Sequence, residues 1–508
     1  MAMGQTLATA PGIDARPTPR IDARRGRALL LLPLIVFAFC LPLLGETDPD
    51  YWWHLRTGQL IADTGGVPRV DDYSFTVTGQ PWISHEWLTD LLIFLVSRQV
   101  GYVGVAALFG VVSAATIVFV YRTCRHYGAH APWAALLCCW ALLMMQPSIN
   151  ARPQMLTMLL LASFAFVLTR HAAGGGRRLW VLPPLLALWV NLHGGYVIGL
   201  VFLGLAVVGG VAERLLGRRD QPLGPLVGVT VLATLASGLT PHGLDALRYP
   251  LTYVGRENAS LQFIAEWRSP DFHQTLVFPF AASLLLALGL GLSGRPLRPT
   301  TLFWSVTVAF MALQSVRHIP LYAIVVTPLL AARLTALPWE RLAATIRARA
   351  LGRFAGGVSA AFLPALLLAV AVLAASAAPG GAWQRDHEPN TAGYPVGGAD
   401  YLRATAPRGN LFNEYRWGGY LIGRLYPERR VFIDGRADPF GDALMTRYRD
   451  TILARPGWQR LLDEWQITLV LIDKAGPLAH ALRDDPAWRE VYTGDIERLF
   501  VRQVAEAP

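Results

Sequence analysis

The 508-residue sequence contains a single lysine, Lys474, so 44 of its 45 basic residues (45 − 1) are arginine. A bias that complete reads as the mark of a GC-rich bacterial genome, not as 44 separately chosen guanidiniums. Cysteine is nearly as scarce. Cys40, Cys124, Cys138 and Cys139 fall in or beside apolar runs and none lies in the polar C-terminal part, which argues against a disulfide framework and a cysteine metal site. Charged residues make up only 16% of the chain, against 53% hydrophobic residues and a mean hydropathy of +0.36. So little charge excludes a soluble chain of this length. A nucleotide-binding loop, a CxxC pair, an HExxH helix and a GxSxG elbow are missing too, which removes the chemistries those motifs carry.

What the sequence does have is long apolar runs. Stretches able to span hydrocarbon, roughly 17–25 residues each, are read near 28–45, 101–121, 132–147, 154–170, 179–192, 195–212, 222–239, 274–293, 300–316, 318–336 and 354–377. The fold class expected is therefore a polytopic α-helical membrane protein with about eleven transmembrane helices, followed by a small C-terminal α/β domain. Arginine collects at 16–27, at Arg122 and Arg125, at Arg170, Arg177 and Arg178, at 214–219, at Arg295 and Arg298, and at 341–353. With eleven spans every cluster falls on the side of the N-terminus, so the positive-inside bias predicts a cytoplasmic N-terminus and an extracytoplasmic C-terminal domain in a bacterial inner membrane. The net charge of +10 is then mostly this inner-face bias, and nucleic acid is not an expected partner. The divisions predicted are a basic, disordered cytoplasmic arm over 1–27, a membrane module over 28–377 with a first outer loop at 46–100, and the outer domain over 378–508.

The unusual polar residues gather on the predicted outer side. The first span ends in ETDPDYWWHLRTG, and the same loop continues to ISHEWLTDLL. Its tryptophans, Trp52, Trp53, Trp82 and Trp87, suggest short amphipathic helices lying at the membrane surface. Asp48 and Asp50, separated by a proline that fixes the backbone, would then sit at the headgroup plane with His54, Asp71, Asp72, His85 and Glu86. Helix ends on the same side add Arg152, His193, His242, Glu266, Arg317 and His318. Ionisable groups at the edge of a membrane core usually face the bundle interior or a water-filled cavity. The arginines read alternatively as snorkelling anchors, the histidines as caps, and Asp71–Asp72 as a turn.

One or two carboxylates beside several arginines suit transfer from a phosphate-linked donor. A carboxylate takes the proton of an acceptor hydroxyl, and arginine grips the leaving phosphate. Asp48 and Asp50 could instead hold a divalent cation, Mg or Mn, which favours oxygen ligands.

An acidic motif just after the first span, followed by a His-containing motif before the second, resembles the GT-C superfamily of membrane glycosyltransferases, among them the protein O-mannosyltransferase-like and aminoarabinose transferase-like enzymes. The resemblance implies a polyprenyl-phosphate sugar donor used on the non-cytoplasmic face, with a glycan, lipid or protein as acceptor. It implies Asp50, or Asp48 with Asp50, as the catalytic base. His85–Glu86 stands where the mannosyltransferases have His-Pro-Pro, and Arg317 resembles the arginine that holds carrier phosphate. Trp53, His54, Arg152, His193, Glu266 and His318 complete the expected substrate-binding set. A lipid or glycan transporter, and a non-catalytic assembly or docking protein, are the alternatives.

In the C-terminal part NLFN, RVFIDGR, ITLVLID and RLFVRQ read as strands, and WGGYLIGRLYP and PLAHALRDD as helices. Asp434, Arg436 and Asp438 read either as ligand contacts after a strand or as a turn with solvated charges. Asn413, Glu414 and Trp417 form a second candidate patch, and the domain is expected to assist or shield the membrane-face site.

Overall fold

Ten of the apolar runs are helical in the computed structural model, which describes residues 23–44, 47–174, 177–218, 222–249, 264–293, 296–339, 391 and 393–503. The eleventh run, 354–377, and nearly all of the arm 1–27 lie outside the described residues. The helices are α1 (Ala23–Leu44), α2 (Tyr51–Thr64), α3 (Trp87–His126), α4 (Ala131–Met145), α5 (Gln154–Ala172), α6 (Leu182–Leu192), α7 (Tyr196–Leu215), α8 (Leu223–Ala236), a single turn α9 (Asp245–Arg248), α10 (Phe278–Ser293), α11 (Pro299–Gln314) and α12 (Ile319–Thr335).

Five helical stretches are long and apolar enough to cross a membrane: Trp87–His126, Ala131–Ser148, Gln154–Ala172, Tyr196–Leu215 and Val316–Thr335. Shorter apolar helices cover Leu31–Leu44, Arg178–Leu192, Leu223–Ala236 and Thr275–Gly291, and the eleven spans expected are not all reached among the described residues. Prolines account for part of this. Pro183 and Pro184 start α6 late and Pro299 opens α11, because proline fits the first turn of a helix and not its interior.

The helical run α3 is interrupted at Gly101, whose φ of 74° and ψ of −168° suit a residue without Cβ. The break falls where the second span was predicted to begin. Residues 87–100 therefore form an arm of their own, packed with α2, before the chain enters the bundle. The two ends of the bundle differ in chemistry. At one, Arg298 donates to the Ala172 carbonyl at 2.6 Å and lies 3.7 Å from Glu213, uniting the ends of α5 and α7 with the start of α11. The other end carries the acids of the first loop.

The C-terminal domain contributes α13 (Val396–Thr405), β1 (Asn410–Asn413), α14 (Gly418–Leu425), α15 (Gly441–Ile452), α16 (Gln459–Glu464), β2 (Ile467–Asp473), α17 (Pro477–Asp484), β3 (Trp488–Thr493) and β4 (Glu497–Arg502). The sheet order is β1-β2-β4-β3, with β1 parallel to β2 and the other pairs antiparallel. Period-two alternation divides its core. Phe412, Val470, Ile472 and Phe500 face a layer containing Tyr448 and Leu478, whereas Leu411, Leu469, Leu471 and Leu499 join the core shared with the membrane module. The segment RVFIDGR, read as a strand, is an extended loop whose Val431 bridges to Ser74 of the first loop, and WREVYT supplies the strand instead.

The loop 47–86 packs beneath this domain. Trp52 meets Tyr420 and Tyr394 edge-on at 5.0 and 6.0 Å, and Trp53 meets Trp82 at 6.2 Å. Trp52, Trp53 and Trp82 are all buried, so their rings are spent on protein contacts and not on the membrane surface expected from their amphipathic surroundings.

Candidate active site

The Asp48-Pro49-Asp50 triplet is both an acidic motif and the start of α2. Tyr51 N donates to Asp48 O at 3.0 Å and His54 N to Asp50 O at 3.1 Å. The carboxylates find donors as well. Asp48 Oδ1 accepts from Asp50 N at 2.9 Å and Oδ2 from Asn150 Nδ2 at 2.6 Å. Asp50 Oδ1 accepts from Trp53 Nε1 at 3.0 Å, and its Oδ2 lies 2.7 Å from Arg152 Nη2.

From Arg152, in the turn between α4 and α5, an alternating chain of charge continues. Its guanidinium donates to Glu266 at 3.2 and 3.4 Å, and Arg317 Nη1 donates to Glu266 Oε1 at 2.6 Å. Arg317 also lies over the Trp267 ring at 4.9 Å. Ser315 Oγ donates to the Glu266 carbonyl at 2.9 Å and Val316 N to the Arg268 carbonyl at 3.0 Å, which fastens this segment to the turn between α11 and α12. Three separate helix ends thus converge on Asp50. Side-chain exposures of 19% for Arg152, 27% for Glu266 and 23% for Arg317 leave the chain in reach of water.

Burial and charge tune these groups in opposite directions. Burial lifts the Asp48 carboxyl to about 6 although Arg152 pulls it down. Burial also opposes the Arg152 charge, but Asp48, Asp50 and Glu266 outweigh it and the guanidinium is held firmly protonated. Glu266 is pushed up by burial, yet Arg152 and then Arg317 overcome this and hold it below its ordinary value. His54 and His193 are kept neutral, first by burial and then by the nearby arginines. His54 Nδ1 is 2.6 Å from Asp90 Oδ1, and His193 Nδ1 meets Thr157 Oγ1 at 2.7 Å while its Nε2 points to Glu86 Oε1 at 3.9 Å.

Other predicted residues serve as walls. His85 is buried against Tyr249, rings 4.2 Å apart, and burial drives it down to about 3. His318 Nδ1 meets the Met311 carbonyl at 3.2 Å and its ring stacks edge-on with Trp267; it supports the Arg317 turn without joining the charged chain. Glu86 is raised to about 7, by burial despite Arg317.

The C-terminal domain closes the site. A Cβ on Gly435 would come within 2.0 Å of Asp50 Oδ1, and one on Gly419 within 2.5 Å of the Pro49 carbonyl. Only glycine allows that approach. Tyr415 Oη donates to the Gly435 carbonyl at 3.2 Å. Asp434 and Arg436, on either side of Gly435, are not solvated. Arg436 pairs with Asp434 and with Asp71 at 2.6 Å each, all three with 0–1% side-chain exposure, between the rings of Tyr73 and Trp82. Asp71 also makes the expected turn, accepting from Ser74 N and Oγ. Asp438 is exposed at its surface, and the protein packed around it and then the Glu86 charge hold its carboxyl up at about 7. Asn413 and Trp417 are fully buried and hold the domain together.

A divalent ion at Asp48 and Asp50 meets a filled site. All four carboxylate oxygens face donors, and Arg152 stands where the ion's charge would be required. Among the described residues no group of three or more His, Cys, Asp or Glu side chains is arranged to hold a metal. The residues as arranged do not fit the ion, and no step below passes through one. The members of the site that sequence reasoning missed are Asn150, Asp90, Tyr415 and Gly435. Asn150 stands two residues before Arg152, and that adjacency was the available signal; Asp90 enters through His54, and Gly435 and Tyr415 through tertiary contact at Asp50.

No protein-family profile and no curated protein matches the chain. Solved structures do. The archaeal oligosaccharyltransferase AglB from Archaeoglobus fulgidus, in complex with an inhibitory peptide and a dolichol-phosphate, superposes with a TM-score of 0.60 at 13% identity, over 95% of this chain and 75% of that one. The Archaeoglobus fulgidus oligosaccharyltransferase tethered to an acceptor peptide gives 0.56 at 13% identity, over 96% and 75%. ArnT from Cupriavidus metallidurans in the apo state gives 0.50 at 15% identity, over 94% and 98%. The chain shares the fold of these solved membrane glycosyltransferase structures.

Proposed function

We propose that this protein is a glycosyltransferase that moves a sugar from a polyprenyl-phosphate carrier to an acceptor hydroxyl at the outer face of a bacterial inner membrane. The observation that carries the reading is the partly open chain Asp50–Arg152–Glu266–Arg317, which sets a carboxylate beside two guanidiniums under a covering domain. A neighbour of the same fold is seen with dolichol-phosphate, a ligand whose phosphate such arginines would suit.

In this mechanism Arg317 and Arg152 receive the carrier phosphate in bidentate fashion. Engagement with phosphate draws Arg152 away from Asp50 and frees Oδ2 as a proton acceptor. Trp53 Nε1 keeps Oδ1 in place. Asp50 then takes the proton of the acceptor hydroxyl as its oxygen bonds to the anomeric carbon. The bond from that carbon to the phosphate oxygen breaks, and the electron pair leaves on a phosphate stabilised by both arginines. A single displacement of this kind inverts the anomeric centre. A glycan, lipid or protein can supply the hydroxyl.

Labelled-sugar transfer from polyprenyl-phosphate donors in proteoliposomes tests this, with Asp50→Asn beside wild type and with or without EDTA. Transfer lost in Asp50→Asn and insensitive to EDTA is expected. Equal transfer by the variant sinks the Asp50 role, and loss with EDTA would restore a metal at Asp48 and Asp50 in place of the Arg152 arrangement.

A further inference from the structure

The C-terminal domain neutralises most of its positive charge. Ten of its arginines lie within ion-pair distance of an Asp or Glu. Among the described residues Arg403, Arg408, Arg429, Arg460 and Arg489 have no acidic partner. Three of these five, Arg403, Arg408 and Arg429, line one cavity of about 750 Å³, together with Arg430, Glu428 and Phe75. Scattered surface arginines would not concentrate their uncompensated charge in one concave place.

The wall of this cavity is built, not loose. Arg429 donates to the Gly409 carbonyl at 2.8 Å and to the Pro407 carbonyl. Thr468 Oγ1 donates to the Arg408 carbonyl at 3.3 Å. The loop between α13 and β1 is turned by two left-handed residues, Ala406 with φ 40° and Gly409 with φ 114°. Arg403, in the last turn of α13, and Arg408, in that loop, are exposed. Arg430 is neutralised by Asp72 of the first loop, so the free charge belongs to the other three. None of Asp50, Arg152, Glu266 and Arg317 lines the cavity.

We propose that this cavity is a second anion site, distinct from the acid–arginine chain, that binds a ligand carrying two or more phosphate groups. The exposed guanidinium forks of Arg403 and Arg408 match phosphate oxygens bidentately, Arg429 adds its charge from the wall while its Nη1 and Nη2 hold backbone carbonyls, and the volume lies in the range of small-ligand sites. One acid against three uncompensated arginines rejects cations. The site holds whether or not the protein transfers sugar.

The test uses the full chain in nanodiscs of zwitterionic lipid, titrated calorimetrically with inorganic pyrophosphate and tripolyphosphate at two salt concentrations. Saturable binding that weakens with salt is expected, with tripolyphosphate the tighter ligand. Arg403→Gln/Arg408→Gln should weaken it by about tenfold or more without moving the thermal midpoint, because both side chains are exposed. Arg317→Gln should remove at most a separate component at the acid–arginine chain and leave the component that Arg403→Gln/Arg408→Gln weakens. A second set of nanodiscs containing cardiolipin, whose headgroup carries two phosphates, identifies the source: loss of pyrophosphate binding there points to a lipid headgroup, retained binding to a free phosphate ligand. Binding untouched by the double variant, or abolished by Arg317→Gln, overturns the proposal.

Discussion

Two clusters of arginine and carboxylate lie on either side of one short turn. Gly435 presses on Asp50, which opens the chain to Arg152, Glu266 and Arg317; its neighbours Asp434 and Arg436 lock onto Asp71. The residue types are the same, but access is not. Arg436, Asp71 and Asp434 have side-chain exposures of 1%, 0% and 0%, against 19%, 27% and 23% for Arg152, Glu266 and Arg317. A sealed cluster has no room for a ligand, and its hydrogen bonds join the C-terminal domain to the first loop. An open one keeps guanidiniums that another anion can claim. Charge pattern alone therefore does not mark a site; charge pattern with a path to water does.

The largest effect should come from the sealed cluster. Arg436→Met leaves Asp71 and Asp434 buried without their cation and removes a guanidinium held between Tyr73 and Trp82. Breaking a buried pair by removing one partner costs about 3–5 kcal/mol, so the thermal midpoint of the purified protein should fall steeply. Adding Asp434→Asn should recover part of the loss, because one stranded charge is gone. The open cluster should answer differently. Arg152→Gln should reduce sugar transfer by about 10²–10³-fold, the scale for removing a group that stabilises developing charge, while the midpoint moves by only a few degrees. Should Arg152→Gln unfold the protein as Arg436→Met does, the contrast collapses and both clusters are structural.

How far the sequence revealed this contrast depends on the range of each contact. Apolar runs and arginine clusters are local patterns, and ten of the runs are helices where they were read. The break at Gly101 coincides with a predicted boundary because the composition changes there. Asp50, Arg152, Glu266 and Arg317 were chosen separately, each as an unusual polar residue at a helix end; that they form one chain needs the bundle, since Arg152 and Glu266 stand 114 residues apart. Asp434 and Arg436 read from sequence as ligand contacts or as a solvated turn, and neither reading includes Asp71, more than 350 residues earlier. The strand at Trp488–Thr493 was missed because its burial pattern is mostly intermediate at the sheet edge, where alternation is weak.

The smallest predicted effect concerns two acids beside the open cluster. Glu86 and Asp438 come from the first loop and the C-terminal domain; burial lifts Glu86 to about 7, and Asp438, exposed at its surface, is held up at about 7 by the protein packed around it and by the Glu86 charge. Below the ordinary glutamate value of 4.5 the folded and unfolded chains both keep the Glu86 proton, so it adds no pH dependence. Between there and about 7 only the folded chain keeps it, so stability falls as pH rises; above 7 the loss is complete. The buried histidines His54, His85 and His193, neutral in the fold, make stability rise with pH below about 6.5, and against them Glu86 contributes a melting temperature that falls from pH 5 to pH 8. Glu86→Gln, neutral throughout, should remove that fall and raise the midpoint at pH 8 relative to pH 5 by a few degrees. Asp438→Asn should act in the same direction, and the double variant should do so by less than the two singles added, because each carboxylate raises the cost of ionising the other. Additive effects would place the two acids in separate surroundings and remove the electrostatic link between the covering domain and the first loop.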